Sequence, residues 1–368
     1  MLDPERPPTD DPQSQTRANL VGWASGFIIA LGAIVVLQQG RDILVPIALA
    51  VLIWFLINAL ADTLRAAPGP IGRLTPLWSK IVAVILFTAL LITSGRIIAE
   101  NLVRIGGDLN PDASPLIAQL LAFGGRFGLP AELTIDTLLK FYPFEELLGA
   151  ALAITRDLVG DASLVLLYVA FLLLDEPYFD AKLRALTPDD GRREALRAKL
   201  GHIAKEARIY LWLMFLLSLG VALMTFAVCA AFGLPGAAFW GFLAFGLNFI
   251  PTIGSILAVA IPCFYALLTF SDPVVLAGLI GLLALTQFVA GEIVMPRLMG
   301  DHLNLSAVVV LLTLVAWGAL WGPVGMFLGI PITVIAILVC VGFPRARWIA
   351  VLLSKDGAVR EMRDARET

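Results

Sequence analysis

Charge is what this sequence lacks. Only 15% of its 368 residues are Asp, Glu, Lys or Arg, against about 25% in a soluble globular domain. From Ile209 to Ser271, 63 consecutive positions carry no charge at all. Histidine is scarce too: His202 and His302 are the two present, and both fall outside the apolar runs, so no histidine-based proton relay or metal site is visible. The three cysteines, Cys229, Cys263 and Cys340, lie inside apolar runs, where a free thiol behaves as a small hydrophobe rather than a bridge or metal ligand. No G-x-x-x-x-G-K-[ST] phosphate loop, H-E-x-x-H pair or G-x-S-x-G elbow occurs, and no nucleophile–base pair or acidic dyad stands out. These absences exclude a soluble enzyme, a nucleic-acid-binding protein and a secreted disulfide scaffold as readings of the whole chain. They imply no cofactor and no metal.

What is present is apolar: 59% of the residues, with a mean hydropathy of +0.88. A hydrocarbon core about 30 Å thick takes roughly 20 apolar residues per helix. Apolar segments fall near 19–38, 43–61, 77–99, 158–175, 208–232, 238–270, 274–296, 303–321 and 323–343. The fold class expected is therefore all-α: a polytopic membrane protein of about eight transmembrane helices, its first partner the lipid bilayer. Residues 1–18, with four prolines among polar residues, read as a disordered tail. Residues 19–99 hold transmembrane helices 1–3. Residues 100–157 alternate apolar and polar positions between proline breaks and read as a small amphipathic helical domain outside the membrane. Residues 158–175 form helix 4. Residues 176–207 form a basic amphipathic helix, capped at Thr187-Pro188-Asp189-Asp190 and suited to the membrane surface. Residues 208–343 hold helices 5–8, and 344–368 a tail.

Basic residues orient the chain. Eight Lys and Arg fall in 176–208 and six follow Phe343, so both termini are expected in the cytoplasm and the 100–157 domain outside. A cytoplasmic C-terminus requires an even number of crossings after residue 208, yet five apolar pieces remain. The piece that fails to cross is expected to be 238–270, read as a re-entrant hairpin with its tip at 251–255; a single kinked span is the alternative. Pro251 and Gly254 break the helix at this tip, and Pro262 loosens it further.

Polar groups within the apolar half are few. Asn248, Thr252 and Ser255 cluster at the tip, and Gln287 and Glu292 lie on the next segment, just ahead of Pro296 and Arg297. Broken membrane helices with freed backbone dipoles recur at the substrate and ion sites of secondary transporters, so these five residues are the candidate pathway. Two readings of Glu292 stand: an intramembrane acid serving a proton or ion relay, or an interfacial carboxylate paired with Arg297. The glycine pairs 318/322 and 325/329 flank the break Gly322-Pro323 and permit close helix contact.

Leu-Leu-Leu-Asp-Glu at 172–176, Leu-Asn-Phe-Ile-Pro-Thr-Ile-Gly-Ser at 247–255 and Gln-Phe-Val-Ala-Gly-Glu-Ile-Val-Met-Pro-Arg-Leu-Met-Gly at 287–300 carry a resemblance to the autoinducer-2 exporter family of bacterial membrane proteins. The resemblance implies an inner-membrane transporter, assembled as a homo-oligomer, for a small molecule such as autoinducer-2 or for sodium–proton exchange. One departure stands out. The family commonly has Glu-Gly after the Gln-Phe pair, whereas this chain has Ala290-Gly291 and places its acid at Glu292. A passive channel and a scaffold working through 98–157 and 189–207 are the remaining alternatives.

Overall fold

The structure is a computed structural model that describes residues 27–28, 31–69, 71–108, 162–187, 189–250, 252–299, 306–343 and 346–355. The 1–18 tail, most of the 100–157 domain, Pro251, His302 and the end of the 344–368 tail lie outside these residues. Helix α1 is described at 27–28 and 31–39. It is followed by α2 (Arg41–Ala66), α3 (Pro76–Asp108), α4 (Ala162–Asp175), α5 (Phe179–Leu186), α6 (Asp190–Ala231), α7 (Ala237–Leu247), α8 (Ile253–Thr269), α9 (Pro273–Phe288), α10 (Met295–Met299), α11 (Ala307–Gly342) and α12 (Arg347–Leu353). Short 3-10 turns occupy Ile71–Arg73 and Glu176–Tyr178, and a π-helical stretch, Val289–Val294, joins α9 to α10. No β-strand occurs among the described residues. The molecule is an all-α polytopic membrane protein.

Six described helices are long and apolar enough to cross a membrane. The last of them, α11, is not straight. Gly322 has φ +65° and ψ −148°, a conformation that costs glycine little and other residues much. Beyond it the chain turns back: Gly318 faces Met326 and Gly329 faces Trp317, each at 3.0 Å from a would-be Cβ, and a Cβ on Gly325 would overlap the Trp317 carbonyl. Residues 307–321 and 323–342 are thus two arms of a hairpin, and the glycines at 318, 325 and 329 are their contact surface. The Ser306 amide donates to the carbonyl of Leu353, which brings both ends of this hairpin together.

The 238–270 segment is also a hairpin. Its arms α7 and α8 have 11 and 17 residues, about 16 and 25 Å at 1.5 Å per residue, so α7 is far too short to span. Trp240 of α7 and Tyr265 of α8 meet with ring centroids 5.3 Å apart. α7 also runs antiparallel to α6: a Cβ on Gly241 would lie 2.7 Å from the Ala222 carbonyl, while Asn248 reaches Ser218. Phe239, Trp240, Ile261 and Tyr265 bury themselves with Cys229 of α6 and Leu276, Leu279 and Leu283 of α9.

The basic stretch expected to end at residue 207 has no break there. It is the first part of α6, a single helix of 42 residues, about 63 Å long and therefore twice the thickness of a hydrocarbon core. Asp189 caps it by accepting from the Arg192 amide at 3.0 Å. The apolar stripe Ile203–Ala207–Tyr210–Leu211 is buried and continues into the core, so tertiary packing carries the helix across the change from polar to apolar sequence. Arg208 marks the transition and pairs with Asp62 of α2 at 2.6 Å. Lys80 of α3 pairs with Glu176 at 2.7 Å, and Glu176 also accepts from the Trp54 indole at 3.3 Å.

A Cβ on Gly254 would overlap the Leu247 carbonyl oxygen, so the tip closes only around glycine. Gly254→Ala is expected to cost about 1–3 kcal/mol, the range for forced overpacking, read as a lower melting temperature and lower yield of monodisperse protein. A control change at Gly246, where a Cβ meets nothing within 4 Å, should melt near the parent.

Candidate functional site at the hairpin tip

The tip lies deep. Ser218 is ten residues beyond Arg208 and thirteen before Ala231, so it stands about 15 Å from the ion-paired end of the apolar part of α6 and about 20 Å from the other end. Asn248 donates from Nδ2 to Ser218 Oγ at 2.9 Å, which places the tip at that same depth. Gln287 is fourteen residues beyond Pro273, about 21 Å down α9, and so stands level with them. Two helices and a hairpin thus carry uncharged polar groups to mid-depth.

Each group has a local cause. Asn248 caps the C-terminal end of α7, where the last turn closes through amides of Phe249 and Ile250 donating to the carbonyls of Gly246 and Leu247. Thr252, the N-terminal cap of α8, has φ +66° and makes no side-chain capping bond. A positive φ on a β-branched residue is a true outlier, and such strain gathers at binding and switch sites. Ser255 lies in the first turn of α8, half-buried beside the exposed Thr252. Pro262 is buried further along α8.

Gln287 is 9% exposed, and its Oε1 accepts no hydrogen bond. An unsatisfied buried acceptor costs about 1–3 kcal/mol. Directly after it the helix widens: the Met295 amide donates to the carbonyl of Ala290, five residues back. Such π-turns recur at functional sites. Pro296, which cannot donate to Glu292, follows the widened turns and opens α10 one residue in. Ala290 is buried with Leu217 and Val221 of α6, Ala244 of α7 and Ala258 of α8, so the π-stretch packs against both arms of the hairpin.

Glu292 does not join this cluster. It is exposed and lies about 28 Å along the helix from Pro273, close to the full thickness of a hydrocarbon core. The ion pair with Arg297 is not formed among the described residues; both side chains are exposed, and the helix changes from π to α winding between them. Nor does Glu292 replace an acid at 290, because Ala290 faces inward and Glu292 outward. The structure adds one residue that sequence reasoning missed. Ser218 is fully buried and holds Asn248; its signal was an isolated hydroxyl halfway along an apolar run. Among the described residues no group of three metal-binding side chains occurs.

Uncharged polar groups at a break between membrane helices recur in secondary transporters, and a membrane transporter is the class to which this chain's relatives belong. The chain belongs to the AI-2E family of transporters, whose family model matches residues 26–340. It is 32% identical to the AI-2 transport protein TqsA of Escherichia coli (strain K12), over 89% of this chain and 95% of that protein. It is 28% identical to YhhT of the same organism, a proposed transport protein, over 83% and 88% of the two chains. A proposed transport protein of Haemophilus influenzae (strain ATCC 51907 / DSM 11121 / KW20 / Rd) is 29% identical over 91% and 95%.

Gln287→Leu keeps the volume and removes the orphaned acceptor. The variant is expected to melt at or above the parent's temperature while losing transport. A Gln287 held only for structure would show the reverse, a lower melting temperature with transport intact.

Proposed function

We propose that the protein is a secondary transporter that exports a small polar solute from a bacterial cytoplasm, with autoinducer-2 as the first candidate. The observation that carries this reading is the unpartnered Gln287 Oε1 at the depth of the broken hairpin. An acceptor buried at a cost, at the depth of an uncapped helix N-terminus and a strained Thr252, is matched by a solute that brings hydroxyl donors and acceptors. Asn248, Thr252, Ser255 and Gln287 line this pathway, with Ser218 positioning Asn248. Gly254, Pro262 and Pro296 shape its backbone. The similarity of the chain to TqsA, which extends over nearly the whole of both, supports the choice of solute.

The same reading places Arg208, both termini and the basic half of α6 on the cytoplasmic side, following the eight Lys and Arg of 176–208. It includes a homo-oligomer in the inner membrane, as the family resemblance implies. It gives Glu292 no part in coupling, because the site residues brought together are all uncharged.

Efflux of preloaded autoinducer-2 from proteoliposomes tests the proposal. Expected is efflux above empty liposomes, unchanged by an imposed pH gradient and unchanged in Glu292→Gln. Asn248→Ala should slow it about five- to tenfold, the value of one lost hydrogen bond. No efflux from folded protein rejects this solute. Acceleration by the gradient that Glu292→Gln abolishes would return Glu292 to the pathway.

A further inference from the structure

The stretch that reads as a tail carries a helix, α12, with no part in the polar site. It follows the second arm of α11 on the side of the molecule that carries Arg208. A Cβ on Gly342 would meet Ile203 Cδ1 at 3.1 Å and Lys199 Cδ at 3.4 Å, both on the polar half of α6. Lys199 Nζ also stands 5.3 Å from the centre of the Phe343 ring. The arm itself, 323–342, holds no charged residue and is about 30 Å long, the thickness of a hydrocarbon core. α12 therefore begins where the core ends.

Its direction follows from what it joins. The Ala346 amide donates at 2.9 Å to the Phe343 carbonyl, at the end of the second arm. The Leu353 carbonyl accepts at 3.3 Å from the Ser306 amide, at the start of the first. Seven residues cover about 10 Å, close to the spacing of two packed helices. α12 thus crosses from one arm end to the other. Because the arms run through the bilayer, it lies along the bilayer surface.

At 3.6 residues per turn the helix has two distinct faces. Ala350 is fully buried, with Ile349 and Leu353 half-buried on the same side, and this side packs on α11. Arg347, Trp348, Val351 and Leu352 form the opposite arc and are exposed, Trp348 and Leu352 to 66% and 70%. Exposed Lys355 follows just past the helix end. Among the described residues nothing covers this apolar face. A helix lying in the surface plane with such a face sinks it into the boundary between headgroups and acyl chains. Tryptophan gathers at that level, and basic residues beside it draw anionic headgroups.

We infer that α12 is an interfacial anchor for anionic phospholipid in the leaflet on the Arg208 side. Trp348, Val351 and Leu352 enter the headgroup boundary, and Arg347 and Lys355 meet the lipid phosphates. The anchor fastens the open end of the 307–342 hairpin to the membrane surface, whatever the protein carries.

Fluorescence quenching in reconstituted vesicles tests this. In full-length protein with Cys229, Cys263 and Cys340 replaced by alanine, Leu352→Cys carries an environment-sensitive fluorophore, and Glu194→Cys, exposed on the polar half of α6, is the control. The vesicles are phosphatidylcholine with or without phosphatidylglycerol. The Leu352→Cys fluorophore is expected to be quenched by lipids spin-labelled near the headgroup and spared by aqueous iodide, with the control showing the reverse. Phosphatidylglycerol should strengthen the lipid quenching, and adding Lys355→Glu should lower the inserted-to-exposed ratio about fivefold, the value of one basic residue at an anionic surface. Quenching by iodide alone, or by neither reagent, would overturn the anchor. Lipid quenching indifferent to phosphatidylglycerol would overturn the assignment to anionic lipid. Should the cysteine-free protein melt early, brominated lipid is applied to the parent chain instead. Its quenching of tryptophan emission should fall in Trp348→Phe, and an unchanged value in that folded variant would overturn the proposal equally.

Discussion

Inside a bilayer no water stands ready to bond a freed backbone group, and that constraint shapes the centre of this molecule. A chain that breaks its helix at residues 248–252 must satisfy the break from within or shelter it. It does both. The Gly254 amide donates to the Ile250 carbonyl at 2.9 Å, and the Ile256 amide to the Thr252 carbonyl at 3.2 Å. This closure is tight enough to demand glycine at 254 and a positive φ at Thr252. Shelter comes from Ser218, from the wall formed by Leu217, Val221, Ala244, Ala258 and Ala290, and from Phe249 and Ile250, which face the main core.

The remaining architecture follows from holding this break still. Helices α2, α3, α4 and α6 are joined near one end by Asp62–Arg208 and by Lys80–Glu176–Trp54. These side chains are one-third exposed or thereabouts, so each pair adds little stability and serves chiefly to fix which helix ends lie together. Beyond that end the rings of Trp212, Phe215, Phe245 and Phe249 pack one against the next up to the polar tip. Packing against the hairpin also explains Gln287. Its helix contributes Leu276, Leu279 and Leu283 to the same face, so Gln287 is carried inward with its amide oxygen left unpaired.

Much of this was legible in the sequence. The hydropathy of the segments identified an all-helical membrane protein, and Asn-x-x-Pro-x-x-Gly-Ser marked the break at which Asn248, Thr252 and Ser255 gather. Gln287 stood level with them only once helix rise could be counted from Pro273. Three things were not legible. Arg-rich 190–207 reads as a surface helix because composition changes at Ile209, but helical continuity depends on the buried stripe Ile203–Ala207–Tyr210, which crosses that boundary. The Gly322-Pro323 break already separated 303–321 from 323–343 as two segments; the opposed pairs Gly318–Met326 and Gly329–Trp317 that join them are tertiary and were not legible. Glu292 drew attention as an isolated acid in an apolar run, yet the widened turns Val289–Val294 set which side faces inward, and that side carries Ala290.

The account depends on the first hairpin entering and leaving the membrane on the same face. Single cysteines at Pro235 and Ser271, the two ends of α7–α8, can be labelled with an impermeant reagent in intact cells and in inverted vesicles. The account predicts that both label from the same side, opposite to the side carrying Arg208. Labelling of the two positions from opposite sides would make 237–269 a kinked crossing, and the mid-depth site would lose its foundation.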